Sequence, residues 1–143
     1  MTASTVSILV VEDDFIDLEA IRRAFADQRI ANPIVPARDG VEALEILRGE
    51  NGKRKIMPPY VILLDINMPR MNGFEFLEVL RSDPELKKTI VFVLTTSEDD
   101  EDMIRAYEHN IAGYIVKTKA GTGFLEAVTM LDHYWRVVEL PRG

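Results

Sequence analysis

Five positions in this 143-residue chain combine residue types and spacing that could do chemistry: the adjacent acids Glu12 and Asp13, then Asp65, Thr95 and Lys117. Each closes a short apolar run. An acid after a strand is often no more than a helix cap, and that plainer reading suits Asp14. It does not suit the combination. If the runs are parallel strands of one sheet, three carboxylates from two strands, one hydroxyl and one ammonium converge on a single crevice at a chain-order reversal. Open parallel sheets bind ligands there, outside the carboxyl ends of their strands. Like charges repel by about 4 kcal/mol per pair at 4 Å near a protein surface, so these acids require protons or a cation. The chain has no cysteine, and its imidazoles are His109 and His133. The donors are therefore oxygens, which favours magnesium, held by few carboxylates and completed by water and a phosphate oxygen. Lys117 would face the remaining charge of a bound phosphoryl group and Thr95 would donate to it. A carboxylate beside magnesium, a lysine and a hydroxyl is the chemistry of a phosphoryl acceptor rather than of a general acid/base pair.

The elements that must hold these residues alternate along the chain. Apolar runs at Val6–Val11, Ile34–Ala37, Tyr60–Leu64, Ile90–Leu94 and Gly113–Val116 are each followed by a segment of helical spacing. That order predicts an α/β fold, a doubly wound parallel sheet of five strands with helices on both faces. Leu18, Ile21 and Phe25 make one helical stripe, Val41, Leu44 and Leu47 a second, Phe76, Leu77 and Leu80 a third, and Met103, Ile104 and Tyr107 a fourth. Asp14 is placed to cap the first helix, with Asp17 in the position of a capping-box acid. The basic loop residues Lys53, Arg54 and Lys55 are expected to be solvated. No linker or repeat divides the chain.

Twenty-four acids against seventeen bases give a net charge of −7, which argues against nucleic acid or anionic membrane as the main partner. The acids are unevenly spread. Glu12, Asp13, Asp14, Asp17, Glu19 and the run Glu98–Asp102 lie in two short windows; without these ten and Asp65, thirteen acids face seventeen bases. Both windows fall at the same predicted sheet edge, where helix N-termini also favour negative charge. Met1–Thr5 lacks the start of a signal peptide and no apolar stretch nears the roughly 20 residues of a membrane span, so a soluble cytoplasmic protein is expected.

The runs and their closing residues together resemble the receiver domains of two-component response regulators, the CheY-like family, over Ser7 to Leu131. ILVVEDD is similar to the family's acidic pocket, LLDINMPRMNG to its phosphoacceptor loop, FVLTTS to the switch hydroxyl and GYIVK to the lysine with an aromatic switch position. The resemblance implies a flavodoxin-like (βα)5 fold with strand order 2-1-3-4-5. It implies Asp65 as phosphoacceptor, with Glu12, Asp13, Asp65 and the Asn67 carbonyl on Mg2+. Thr95 and Lys117 would act on the phosphoryl group, Thr95 with Tyr114 would be the switch, and a sensor histidine kinase would be the donor. Such a protein catalyses only its own phosphorylation and dephosphorylation. Two positions depart from the family pattern. Glu12 replaces a frequent aspartate, its extra methylene suggesting metal contact through water. Thr118 stands where proline usually follows the lysine; a cis bond before a non-proline residue costs about 3 to 4 kcal/mol, so a trans bond is expected. The TTS run, the missing proline and an aromatic tail also resemble the small regulators paired with bacterial phytochromes, which implies a bacteriophytochrome as the kinase.

A receiver domain is expected over 5–131, with a helical extension and tail over 132–143 and no separate output domain, so that output runs through contacts. In the last helix, Phe124, Val128, Leu131, Trp135 and Val138 form one stripe and Ala127, Met130, Tyr134 and Val137 a second. One stripe suffices for docking. The other, with Tyr107 and Trp135, predicts a homodimer or partner surface made of Tyr107, Met130, Tyr134, Trp135 and Val137; burial of the second stripe by Leu140 and Pro141 is the competing reading. Three functional alternatives stand beside phosphoryl acceptance. A haloacid-dehalogenase-type phosphatase also forms an aspartyl phosphate, but needs a second aspartate where Asn67 stands. A flavodoxin-like cofactor binder would cradle phosphate where Glu12, Asp13 and Asp14 repel it. A receiver-like scaffold that takes no phosphate would not need so complete a site.

Overall fold

The structure, a computed structural model, describes residues 5–141. Residues 1–4 and 142–143 lie outside them, and with them most of the segment tested for a signal peptide and the end of the expected tail. The elements are β1 (Ser7–Val11), α1 (Phe15–Asp27), β2 (Ile34–Ala37), α2 (Gly40–Arg48), β3 (Tyr60–Leu64), α3 (Gly73–Ser82), β4 (Ile90–Thr95), α4 (Asp100–Glu108), β5 (Gly113–Val116) and α5 (Leu125–Val137), with short 3-10 turns at Lys117–Lys119 and Thr122–Phe124. The strands form one parallel sheet in the order β2-β1-β3-β4-β5. This is the doubly wound, flavodoxin-like order expected. Three of the five strands keep the bounds read from the sequence; β1 begins one residue later and β4 extends by one, so that Thr95 ends the strand instead of following it.

Side chains of successive strand residues point to opposite faces, and the core divides accordingly. Leu9, Val11, Ile62, Leu64, Val91 and Val93 meet α2 and α3 through Ala43, Leu44, Leu47, Phe76, Leu77 and Leu80. Ile8, Val10, Val61, Leu63, Phe92 and Leu94 meet α1 and α5 through Ile21, Ala24, Phe25, Ala127, Val128 and Leu131. Every one of these strand side chains is less than 5% exposed. The long apolar runs are therefore strands covered on both faces.

Two expectations are corrected. The stripe Met103, Ile104 and Tyr107 does not face the sheet. In α4 the buried residue is Ala106, while Ile104 is 63% and Tyr107 48% exposed. A small side chain at the contact lets the helix approach the sheet closely, and the Arg105 guanidinium lies over the Phe74 ring, 4.2 Å from its centroid. In α5 both stripes reach the protein's own core, each in part. Tyr134 sets its ring edge-on to Phe92 with centroids 4.8 Å apart, Trp135 lies 6.2 Å from Phe25, and Leu140 joins the same cluster. Tyr134 and Trp135 are therefore half-buried and only partly available to the predicted partner surface, because aromatic rings at these positions gain by covering Phe92 and Phe25. Met130 and Val137, 39% and 81% exposed, remain on it. The α5 helix crosses 131/132 without a break.

The end of the sheet opposite the acidic residues is closed by Arg81. Its guanidinium donates to four carbonyls, those of His109 (2.6 Å), Lys87 (2.7 Å), Thr89 (2.8 Å) and Asn110 (3.1 Å). It thereby ties α3 to the turns that precede β4 and β5. A planar fork of five donors can satisfy four acceptors at once; an ammonium cannot. Arg81→Met is expected to cost about 2 to 4 kcal/mol in urea unfolding, with Arg81→Lys recovering less than half. A loss below about 0.5 kcal/mol, the range of ordinary surface changes, would overturn that role.

Candidate functional site

The site forms where β1, β3, β4 and β5 end, and the backbone ladder continues past the strands to hold it. Val11 pairs with Leu64 in register, and the next residues stay anchored: the Glu12 amide donates to the Ala37 carbonyl at 2.9 Å and the Asp65 amide to the Val11 carbonyl at 3.0 Å. Thr95 pairs with Val116, the residue before Lys117. Gly73, which opens α3, is pressed against this segment. A Cβ there would lie 2.5 Å from Ile66 Cα and 3.0 Å from the Asp65 carbonyl oxygen, so the LLDINMPRMNG loop can close over its own acid only with glycine at its end. The Gly73 amide donates to the Ile66 carbonyl at 3.0 Å.

Glu12, Asp13, Asp65 and Lys117 are brought together as expected. One carboxylate oxygen from each of the three acids falls within 4.8 Å of the others. Glu12 and Asp65 are buried, and Asp13 is exposed at the mouth. An all-oxygen donor set with two ligands fixed in the wall and one open to water fits a hard divalent cation. Lys117 Nζ donates to Glu12 Oε2 at 2.9 Å and reaches Asp65 Oδ2 at 3.3 Å. The other oxygens are also occupied: the Asp14 amide donates to Glu12 Oε1 and the Asn67 amide to Asp65 Oδ1, each at 3.1 Å. The Asn67 amide thus folds the loop back onto Asp65. The Lys117–Thr118 bond is trans, as expected; among the described residues the cis bond is Pro58–Pro59.

Thr95 is fully buried, and its hydroxyl accepts from the Ser97 amide at 3.4 Å. Tyr114 is half-buried and donates its hydroxyl to the Ser97 carbonyl at 3.0 Å. Burial raises the Tyr114 hydroxyl above the usual tyrosine range, so it remains a donor at neutral pH. The two residues named as a switch therefore meet through Ser97, which the sequence reading did not single out. Ser97 also donates from its hydroxyl to Asp102 at 2.7 Å, pinning the acidic first turn of α4.

A second residue missed from sequence is Asp17. Asp14 is the N-cap of α1, accepting from the Ile16 and Asp17 amides, but Asp17 does not complete a capping box. Its carboxylate accepts from Lys117 Nζ at 2.7 Å. A first-turn acid suits either role by position, and only the arrival of Lys117 from the far end of the chain decides between them. Two more ties were not foreseen. Arg70 forks onto Asp39 at 2.7 and 3.0 Å, joining the phosphoacceptor-like loop to the N-cap of α2, and Thr118 donates to Glu98 at 3.1 Å across the mouth. Burial pushes Asp39 up, but the Arg70 guanidinium and the Glu42 amide outweigh it and hold the carboxyl below the usual range. Lys53, expected to be solvated, bonds Glu42 at 3.0 Å.

The electrostatics follow from this crowding. Burial first, and then the Asp65 charge, push Glu12 from 4.5 up to about 7, against the Lys117 ammonium and the Asp14 amide that pull it down. Burial draws Lys117 down, but Asp17, Glu12 and Asp65 outweigh it and keep the ammonium protonated well above the usual lysine range.

The profile of the response regulator receiver domain family matches residues 8–129 of this chain. The response regulator Rcp1 of Synechocystis sp. is 31% identical over 135 residues, covering 94% of this chain and 92% of the relative. Among solved structures, the phosphorylated cyanobacterial phytochrome response regulator RcpA superposes with a TM-score of 0.86 at 33% identity, over 96% of this chain and 99% of that one. The Mn2+-bound form of Rcp1 gives 0.84 at 31% identity, over 96% and 99%.

The raised Glu12 pKa carries a pH signature. A carboxyl whose folded pKa lies above its unfolded value stabilises fully below about 4.5, and that contribution is lost as pH rises through about 7. In chelator, the wild type is expected to lose on the order of 2 kcal/mol between pH 5.5 and 8.5 that Glu12→Gln does not lose. Parallel melting curves for the two proteins across that range would overturn the assignment.

Proposed function

The chain belongs to the response regulator receiver domain family, and from that membership we propose that Asp65 takes a phosphoryl group from the phosphohistidine of a sensor kinase in a Mg2+-dependent reaction. The observation that carries this is the seat of Asp65: buried at the end of β3, 3.3 Å from the Lys117 ammonium, and within cation-sharing distance of Glu12 and Asp13. A haloacid-dehalogenase-type phosphatase lacks its acid/base here, since the place of its second aspartate is taken by Asn67, whose side-chain carboxamide cannot exchange a proton as a carboxyl does.

In this reading one Asp65 carboxylate oxygen attacks phosphorus in line. The O–P bond forms as the N–P bond of phosphohistidine breaks, and the imidazole leaves. Lys117 places its ammonium against the equatorial phosphoryl oxygens, so most of the rate comes from position and charge rather than covalent assistance. Mg2+, held by Glu12, Asp13, Asp65 and the Asn67 carbonyl, would neutralise the charge that builds on the phosphoryl oxygens; the Mn2+-bound relative and the all-oxygen donor set support it. The acyl phosphate places about two negative charges where one stood. Thr95 would turn its hydroxyl onto that charge and release the Ser97 amide. Because Tyr114 is bonded to the carbonyl of the same Ser97, the tyrosine is free to repack in consequence. The result is a population shift between two packings of the β4–α4 segment.

The donor class is a sensor histidine kinase, and the similarity to phytochrome response regulators supports a bacteriophytochrome within that class. Among the described residues no helix is long and apolar enough to cross a membrane, in keeping with a cytoplasmic exchange between two proteins. Output passes through contacts of the receiver, expected over 5–131, and of the extension beyond it. Met130 and Val137, with Tyr107, are the exposed apolar side chains that support a homodimer.

Treatment with a small phosphodonor and Mg2+ is expected to give one acid-stable, base-labile label per chain that is absent in Asp65→Asn. Multiple turnover of a phosphate ester would instead favour the phosphatase. For the dimer, Val137→Glu is expected to yield a monomer by light scattering with phosphorylation unchanged. A wild type that is monomeric at micromolar concentration overturns that part.

A further inference from the structure

The three carboxylates around Lys117 are not equivalent. Nζ is 2.7 Å from Asp17 Oδ2, 2.9 Å from Glu12 Oε2 and 3.3 Å from Asp65 Oδ2, and the lysine side chain is only 9% exposed. Glu12 and Asp65 have other duties: each accepts a backbone amide, and each belongs to the set of acids that fits a divalent cation. Asp17 stands outside that set, on another element. It lies in the first turn of α1, which Asp14 caps and so holds in place. The lysine, by contrast, begins a short 3-10 turn, followed within a few residues by Gly121 and Gly123 at positive φ. Lys117 is the first residue beyond the strand pairing, which ends at Val116.

We propose that Asp17 is a positioning residue for the phosphoryl transfer: it anchors the Lys117 ammonium beside Asp65 and keeps it there when Glu12 and Asp65 are drawn into other interactions. The inference rests on Asp65 being the phosphoacceptor. An ammonium has three hydrogens, and in the free protein each serves one carboxylate. Sharing Glu12 and Asp65 with a cation weakens their pull on the ammonium and sets like charge against it, while the hold of Asp17 is untouched. The hydrogens released by Glu12 and Asp65 can then turn to the phosphoryl oxygens, with the third still on Asp17. The carboxylate on α1 thus holds the far end of a long side chain whose backbone leaves the strand pairing at Val116.

The test uses the full chain and the variants Asp17→Asn, Asp17→Glu and Asp65→Asn, with phosphoramidate as donor. At saturating Mg2+ and donor, Asp17→Asn is expected to lower the phosphorylation rate about tenfold or more, since small displacements of a positioned group cost rate steeply. Asp17→Glu, which keeps the charge, recovers most of the loss, as a merely structural role would not require. A second readout needs no metal. In chelator, acylation of Lys117 by a small active ester, followed by mass spectrometry, rises several-fold in Asp17→Asn because the ammonium has lost its anchor. Where Asp17→Asn folds poorly, Asp17→Ala, with better helix propensity, gives the same comparison. Wild-type rate and acylation in Asp17→Asn overturn the proposal for Asp17 alone. Label that persists in Asp65→Asn overturns the phosphoacceptor assignment itself.

Discussion

One ammonium makes the acidic end of this sheet sustainable. Glu12, Asp17 and Asp65 come from two strand ends and a helix, and without Lys117 they would crowd negative charge into a wall that excludes water. The lysine arrives just past the fifth strand, 105 residues from Glu12, 100 from Asp17 and 52 from Asp65, so the site exists only when β1, β3 and β5 are in register. This couples folding to chemistry. A slip of one residue at β1, β3 or β5 would turn these side chains to the other face of the sheet. Even with the lysine in place the balance is incomplete, since Asp13 remains open to solvent and Glu12 holds its proton to near neutrality. The pocket is a charge distribution that still has room for a cation.

The two sides of the crevice differ in stiffness, and the difference matches what each has to do. On the β1 and β3 side, amides continue the ladder beyond the strands and Gly73 lies against Ile66 with no room for a methyl group. Arg70 ties the same loop to Asp39 at the head of α2. On the β4 and β5 side, Ser97 makes single bonds to Thr95, Tyr114 and Asp102, and Thr118 makes one to Glu98. The acid that would receive a phosphoryl group is held rigidly, whereas the residues that would respond to it are linked by bonds that can be exchanged one at a time.

Most of the fold was legible because its strands are buried on both faces and so read as unbroken apolar runs. Tyr60–Leu64 keeps its bounds for that reason, and the half-buried edge strand Gly113–Val116 keeps its own as a short apolar run closed by Lys117. The site residues were legible because they stand at the ends of those runs. What could not be read depends on helix rotation and on long-range reach. Whether α4 turns Ala106 or Tyr107 inward, and whether Trp135 meets Phe25 or solvent, are decided by packing partners distant in sequence. Asp17 was misassigned because local capping and a bond to Lys117 predict the same residue type at the same position. Ser97 lay within the TTS run but was not singled out, since its bonds to Thr95 and Tyr114 use the backbone amide and carbonyl, which every residue possesses.

The shallow seating of α4 bears on how far a local change can travel. Of its nine residues Ala106 alone is buried, while α3 buries five of ten. A helix attached by so little apolar area opens and shifts at low cost in free energy. Its amides should trade hydrogen for deuterium well before those of α3. The sheet and α3 form a stiff chassis, and α4 with its acidic head is a part that an event a few kcal/mol in size can move without loosening anything beneath it.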